Sequence, residues 1–283
     1  MRLVFVHGIN QNGKSSDQIK KEWCNALSES ELGSKILENY EVTAPFYGNL
    51  LVENTDRSKG TEDYEQEEIE FKNLLANDMA TYLLEHGTPK TRNIINSNYF
   101  ENSDEVEKGF PHNQLFVKFA RTVQKVSPFR GEIAMRFLEQ AHTYYDSEEL
   151  RSEIDSLIAK TIEEAGDCIV VAHSLGTIVS YRSIRELVKT ANITKYITLG
   201  SPLGLKSFRN QLGSNLQRPS NTNSWLNAHD PRDFVSMGIS LQNYYENVDK
   251  EILDVRNTDD DPHAISKNRG YLHDESVLKW IIA

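Results

Sequence analysis

Apolar and polar positions along the chain fall into two rhythms. At the start, Leu3-Val4-Phe5-Val6 is a short run of apolar, mostly β-branched residues, which predicts a buried strand. Gly8 to Gly13 reads as a loop. Residues 15–30 read as a helix, with Ile19, Trp23, Ala26 and Leu27 at helical spacing. A second strand is expected around Tyr40 to Phe46. From Glu149 onward the same alternation resumes, with a helix to Ala165 and a wholly apolar strand over Cys168 to Ala172. A helix over Leu175 to Lys189 and a strand over Tyr196 to Leu199 follow. Short strands are expected over Trp225 to Ala228 and Ile252 to Val255, and a closing helix over Asp274 to Ile282. Strands that lack a polar face and alternate with helices predict a mostly parallel sheet with helices on both faces.

Between these stretches the pattern changes. Residues 53–70 are strongly acidic and 86–114 polar, with helical periodicity near 65–86, 115–126 and 131–145 and no strand among them. The expected organisation is therefore an α/β core of residues 1–49 and 148–283, carrying a mostly helical cap insertion over 50–147. A hundred residues of this kind are too long for a loop in a compact domain and too apolar for a linker. The cap is expected to cover the carboxyl ends of the strands, where ligands bind in such sheets.

Composition narrows the function. The 283 residues are enough for one large domain or two small ones. The formal charge of −11 disfavours nucleic acid as a partner. Cys24 and Cys168 supply neither metal spacing nor a disulfide framework. No apolar run reaches the 18 or so residues of a membrane span, and the apolar run at the N-terminus is too short for a signal peptide. The expectation is a soluble, cytoplasmic protein.

Two motifs compete for the chemistry. Gly8-Ile9-Asn10-Gln11-Asn12-Gly13-Lys14-Ser15 fits the phosphate-binding loop G-x-x-x-x-G-K-[ST], between a strand and a helix. Such an enzyme also needs an acidic Mg²⁺ ligand at the end of a neighbouring strand. Here Cys168 to Ala172 runs into His173-Ser174, and Tyr196 to Leu199 into Gly200-Ser201. Only Asp254 is available. The second motif is Ala172-His173-Ser174-Leu175-Gly176, a nucleophile elbow G-x-S-x-G with Ala first, between an apolar strand and a helix. Ala172 and Gly176 meet the demand for small residues where strand and helix nearly touch. Ser174 would sit at a helix N-terminus, which favours developing negative charge. Its bland alternative is a helix-capping serine.

With these residues the sequence resembles the α/β-hydrolases, specifically the lipase-like serine esterases. Val6-His7-Gly8-Ile9 is similar to their His-Gly segment after an early strand, and Ala172 to Gly176 to their elbow. Thr198-Leu199-Gly200-Ser201-Pro202-Leu203 is similar to the segment after their next strand. Asp230-Pro231-Arg232-Asp233-Phe234-Val235 is similar to their acid loop, with Phe234 in place of Pro. Pro262-His263 followed by Gly270-Tyr271-Leu272 is similar to their histidine loop, with a longer spacer. The likeness covers 2–47 and 150–283.

The resemblance implies an α/β-hydrolase fold and a triad in the order Ser, acid, His. Ser174 is the expected nucleophile. Asp233 is favoured over Asp230, which has the look of a turn-opening residue. His263 is favoured over His273, whose bland reading is a cap or surface histidine. His173 and His229 fall outside the chain order, and His7 is expected to position the oxyanion loop without titrating. The backbone N–H groups of Ile9 and Leu175 are the expected oxyanion-hole donors. No cofactor and no metal is implied, because the Asp and His residues at 229–233 and 254–263 fit no ligand motif. The expected reaction is cleavage of a small-molecule carboxylic ester or lipid through an acyl-enzyme. The alternatives are a nucleotide-binding enzyme built on Gly8 to Ser15 and an inactive hydrolase-fold binding module.

In the insertion, Lys118, Arg121, Lys125, Arg130 and Arg136 face a single acid, Glu132, across 115–136. Phe116, Phe119, Val123 and Val126 recur at helical spacing. This reads as a packed cap helix or as a surface for an anionic lipid or acidic substrate, a peripheral membrane contact among them. The sequence is silent on oligomeric state.

Overall fold

The computed structural model describes residues 1–51, 66–101, 115–126, 128–257, 263–265 and 270–283, without the side chains of 66–69 and 128–131. The chain divides into two compact units. One comprises Met1–Asn49, Glu149–Gly204 and Phe208–Ala283, and the other Leu50–Glu148 with Leu205–Ser207.

The first unit is built on β1 (Arg2–Val6), β2 (Glu41–Thr43), β3 (Cys168–His173), β4 (Ile193–Leu199), β5 (Trp225–Ala228) and β6 (Lys250–Ile252). They form one sheet in the order β2-β1-β3-β4-β5-β6, and every pair is parallel. The central strands are buried on both faces, which is why β3 reads as an unbroken apolar run. One face packs Leu3, Phe5, Ile169, Val171, Ile197, Leu199 and Leu226 into a core. That core is closed by α1 (Ser16–Ser28), α2 (Glu31–Asn39) and α10 (Glu275–Ile282), through Ile19, Trp23, Leu27, Ile36, Val277 and Ile281. Each such side chain contributes roughly 1.5–3 kcal/mol when fully buried. On the opposite face, α8 (Leu175–Glu186) packs on β1 and β3. It is joined to α7 (Glu148–Ala165) by the partly buried Arg182–Asp155 ion pair, Nε to Oδ2 at 2.8 Å. The unit is thus an α/β fold with a parallel sheet covered by helices on both sides.

Strand order decides where a site can form. The chain leaves β1 toward β2 on one side and re-enters the sheet at β3 on the other. Connections after β1 and β3 therefore diverge, and in sheets of this kind the carboxyl ends of such neighbours are where a site can form. His7-Gly8-Ile9 follows β1, and Ser174 follows β3.

The second unit holds α3 (Gln66–His86), α4 (Pro89–Ile95), a π-helical turn (Asn96–Phe100), α5 (Leu115–Val126) and α6 (Pro128–Asp146). Phe119 is fully buried, with Phe116 and Val123 beside it, and the Tyr99 ring meets Phe119 edge-on at 6.0 Å. The apolar stripe of α5 is therefore packed in the interior. Arg121 and Lys125 lie on the exposed face, with Lys125 donating to Asn98 Oδ1. The Arg130 side chain lies outside the described residues. Among those residues, no helix is long and apolar enough to cross a membrane.

Element boundaries moved at the edges. β2 is confined to three residues within the expected 40–46, and Ala44 instead accepts from Ser16 Oγ at 2.5 Å. β6 ends at Ile252, with Leu253 exposed, so the expected strand to Val255 is shorter and earlier. α9 (Lys206–Leu212) starts with residues that group with the helical unit, because Ser207 N and Oγ donate to Asp78 Oδ2 at 2.9 and 3.2 Å.

Candidate active site

Ser174 follows β3 at once, and its backbone is strained. Its φ of 54° and ψ of −131° lie where an L-residue is uncommon and costs on the order of 1–3 kcal/mol. The turn is sharp because α8 begins at the next residue. A Cβ at Gly176 would stand 2.2 Å from the His7 carbonyl oxygen and 2.6 Å from that of Val6, so only glycine lets α8 approach the end of β1. Ser174 occupies the N-cap position of α8, yet its side chain caps nothing. Its Oγ is fully buried and makes no hydrogen bond. This is not what a capping serine does. The elbow is braced from behind, where Ser174 N–H donates to Leu199 O at 3.0 Å and Thr177 Oγ1 donates to Ser174 O at 2.7 Å.

The β1 loop passes against this serine. A Cβ on Gly8 would lie 2.6 Å from Ser174 Cβ and 3.2 Å from its Oγ. His7 sets the orientation of the loop. Tyr47 N–H donates to His7 Nε2 at 3.2 Å, so the proton of the neutral ring is on Nδ1, which donates to Gly8 O at 2.8 Å. Tyr47 stacks on the His7 ring at 4.0 Å and donates its hydroxyl to His7 O. Burial, partly opposed by the Gly8 hydrogen bond, holds the His7 pKa down to about 4, so the imidazole stays neutral. In a trans peptide the N–H points opposite to the C=O. Fixing Gly8 O on the His7 ring therefore turns Ile9 N–H away from that ring. Leu175 is the first residue of α8, where an N–H has no intrahelical acceptor.

The acid and the histidine meet. Asp233 Oδ2 is 2.9 Å from His263 Nδ1, and Asp233 Oδ1 accepts from Val235 N–H at 2.9 Å. Asp230 is equally buried but committed elsewhere. It accepts from Arg232 N, Nε and Nη2 at 2.8, 3.0 and 2.8 Å and from Asn257 N at 2.8 Å. Of the two carboxylates, Asp233 is the one that touches His263. His273 Nε2 instead pairs with Glu29 at 2.7 Å, just past the end of α1. Pro262, quoted with His263 above, lies outside the described residues.

His263 reaches the elbow through His173. The two rings lie 4.4 Å apart, and His173 immediately precedes Ser174. Burial drives the His173 pKa well below the ordinary imidazole value, and the neighbouring His263 adds to this, against a hydrogen bond with the His263 backbone. His229, at the end of β5, is likewise held low by burial. A buried imidazole held low by burial, that of His173, thus packs against His263. The sequence set His173 aside because it fell outside the chain order. Tyr271 was quoted only as part of a loop, and no sequence signal marked its contact with Asp233.

The phosphate-loop groups are engaged in local structure. Ser15 Oγ caps α1 by accepting from Gln18 N–H, Lys14 Nζ pairs with Glu22 at 2.7 Å, and Gly13 N–H donates to Asn49 Oδ1 at 2.9 Å. Among the described residues no cluster of three or more His, Cys, Asp and Glu could hold a metal ion. Compared with protein-family models, with curated proteins and with solved structures, the chain shows no match.

Proposed function

We propose that the sheet unit is an α/β-hydrolase-type fold and that this chain is a serine hydrolase cleaving carboxylic esters through an acyl-enzyme on Ser174. The observation that carries this reading is the elbow. A strained serine that caps nothing stands at the strand-order switch point, and the residue before it, His173, packs 4.4 Å from a histidine whose Nδ1 bonds a buried aspartate.

In this reading Ser174 Oγ attacks the ester carbonyl carbon while its proton moves to His263 Nε2. Asp233 keeps the ring in the Nδ1–H tautomer and stabilises the imidazolium. The carbonyl oxygen becomes an oxyanion that accepts from Leu175 N–H and Ile9 N–H. The intermediate collapses, and the leaving alcohol takes the proton from Nε2. Water then repeats the sequence on the acyl-enzyme, releasing the carboxylic acid and regenerating Ser174. Proton transfer needs Oγ and Nε2 within about 2.6–3.2 Å, a contact that often tightens only with substrate bound.

The test is intact mass after treatment with an alkyl fluorophosphonate. The wild-type chain gains one phosphonyl group, and Ser174→Ala gains none. Labelling that persists in Ser174→Ala overturns the assignment. A second reading, an inactive hydrolase-fold binding module, rests on the buried Ser174 hydroxyl that bonds to no imidazole. It is favoured if the wild-type chain resists the probe while remaining folded.

A further inference from the structure

The histidine loop supplies a second side chain to the acid. Tyr271, in the short 3-10 turn Tyr271–His273 ahead of α10, is fully buried. Its hydroxyl donates to Asp233 Oδ2 at 2.9 Å, the same oxygen that faces His263 Nδ1, and accepts from Asp230 N–H at 2.9 Å. One phenol therefore spans both ends of the Asp230–Asp233 turn. Space for it is reserved by Gly200, at φ +55°, after β4. A Cβ there would lie 2.7 Å from Asp233 Oδ2 and 3.2 Å from Tyr271 Oη. The Tyr271 ring also stands 5.7 Å from the His173 ring, so the residue neighbours both of the groups that His263 meets, Asp233 and His173.

Resting on the serine-hydrolase reading above, we propose that Tyr271 is a positioning residue. It fixes the rotamer of Asp233 and draws off part of the carboxylate's charge, setting how strongly Asp233 holds a proton on His263. Two donors share Oδ2, and each weakens the other's claim on its electron density. Removing the phenol leaves more negative charge facing His263, which favours the imidazolium. Strengthening the phenol as a donor does the opposite. The charged and titratable groups around this centre are Asp233 and Asp230 after β5, Arg232 paired with Asp230, His229 at the end of β5, His173 at the end of β3 and Glu251 on β6. Among the described residues, the side chains hydrogen-bonded to Asp233 Oδ2 are those of Tyr271 and His263.

The experiment compares pH profiles of kcat/KM on p-nitrophenyl acetate for wild type, Tyr271→Phe and the chain with 3-fluorotyrosine at position 271. Tyr271→Phe is expected to lower kcat about tenfold with KM unchanged, and to move the acid limb up by about half a pH unit or more. 3-Fluorotyrosine, a more acidic phenol of nearly the same shape, moves that limb down, and it tests the proposal even if the Phe variant does not fold. An unmoved acid limb in both, or a fall in kcat with no shift, overturns the proposal and leaves Tyr271 a packing residue. If Ser174→Ala retains wild-type esterase activity, the underlying reading has failed instead.

Discussion

The two units of this chain use buried polar groups differently. In the sheet unit one group of them gathers at the ends of strands: His7, His173, Ser174, Asp230, Asp233 and Tyr271 are all buried, and they end or follow β1, β3 and β5 or sit in the turn ahead of α10. Most are held by named partners on other elements. In the helical unit, buried Lys72, Thr122, Gln140, His142 and Thr143 are distributed along α3, α5 and α6. Thr122 and Thr143 return their hydroxyls to carbonyls four residues back, and Lys72 lies 5.4 Å over the Phe116 ring. Hydroxyls bonded back into their own helix are a structural use. The strained Ser174, whose hydroxyl bonds to nothing and whose neighbour His173 packs on the His263–Asp233 pair, shows no such use. The lesson is that convergence and strain, and not burial of polar groups alone, separate a candidate site from a polar interior.

The comparison predicts first that activity and stability separate at Ser174. Ser174→Ala should lose esterase activity by several orders of magnitude. Ser174→Gly should be as inactive, yet more stable than Ser174→Ala by roughly 1 kcal/mol or more, because glycine accepts φ 54° without strain. Urea unfolding of the two variants measures this. Equal stability would mean the elbow is not strained, and the sheet unit would lose what sets it apart from the helical one.

The helical unit should break in the opposite manner. Phe119 is fully buried between Tyr99 and the helices of its unit. Phe119→Ala should cost about 3–5 kcal/mol. Hydrogen exchange should show lost protection across α3, α5 and α6, with β1, β3 and β4 unaffected. Equal loss in the strands would mean that the two units fold as one.

Acid should strain the sheet unit more. His7 is held down to about 4, and His173 and His229 are also lowered by burial, while the helical unit has His142, lowered to about 3. Each is neutral when folded and protonates more readily when unfolded. Their stabilisation is fully present above the ordinary imidazole pKa of about 6.5 and is lost as pH falls through the folded values. Urea midpoints should therefore decline from pH 7 to pH 4. His142→Gln should flatten that decline only for probes in the helical unit, which residue-resolved exchange would report.

Much of this division is legible in the sequence, and the failures have physical causes. β3 and β5 are read to within a residue because strands buried on both faces have no polar position to blur them. α5 is read from its apolar spacing. α2 is missed because its nine residues are mostly polar and carry Gly33, which weakens a helix on propensity alone. α4 is missed for a similar reason. It is a seven-residue polar helix, set by the Thr88 cap and Pro89 at its first turn. At the site, Ser174, Asp233 and His263 are named by motif order. Tyr271 is not, because its contact with Asp233 joins residues 38 apart in sequence and leaves no spacing to read. The preference for Asp233 over Asp230 acquires its physical reason only from the coordinates. Arg232, two residues beyond Asp230, takes that carboxylate and leaves Asp233 to the histidine.

The smallest expected effect tests the motif that the site does not use. Gly8 to Ser15 matches a phosphate-binding loop letter for letter, yet its second half is spent on starting α1. Ser15 is the N-cap, and Lys14 pairs with Glu22 one helical stretch on, both side chains partly exposed. Exposed pairs of this kind contribute about 0–1 kcal/mol, while losing a serine cap costs about 1 kcal/mol. Lys14→Ala should therefore leave ester turnover within about twofold and stability within about 1 kcal/mol, and Ser15→Ala should lower stability slightly more with turnover unchanged. A phosphate-loop enzyme demands the reverse, with Lys14 as the group that meets the terminal phosphates. Isothermal titration with Mg²⁺ and a nucleoside triphosphate separates the cases. Binding by wild type that disappears in Lys14→Ala would move the chemistry from the end of β3 to the end of β1, whereas no heat from either protein agrees with a loop whose groups are already bound to their own chain.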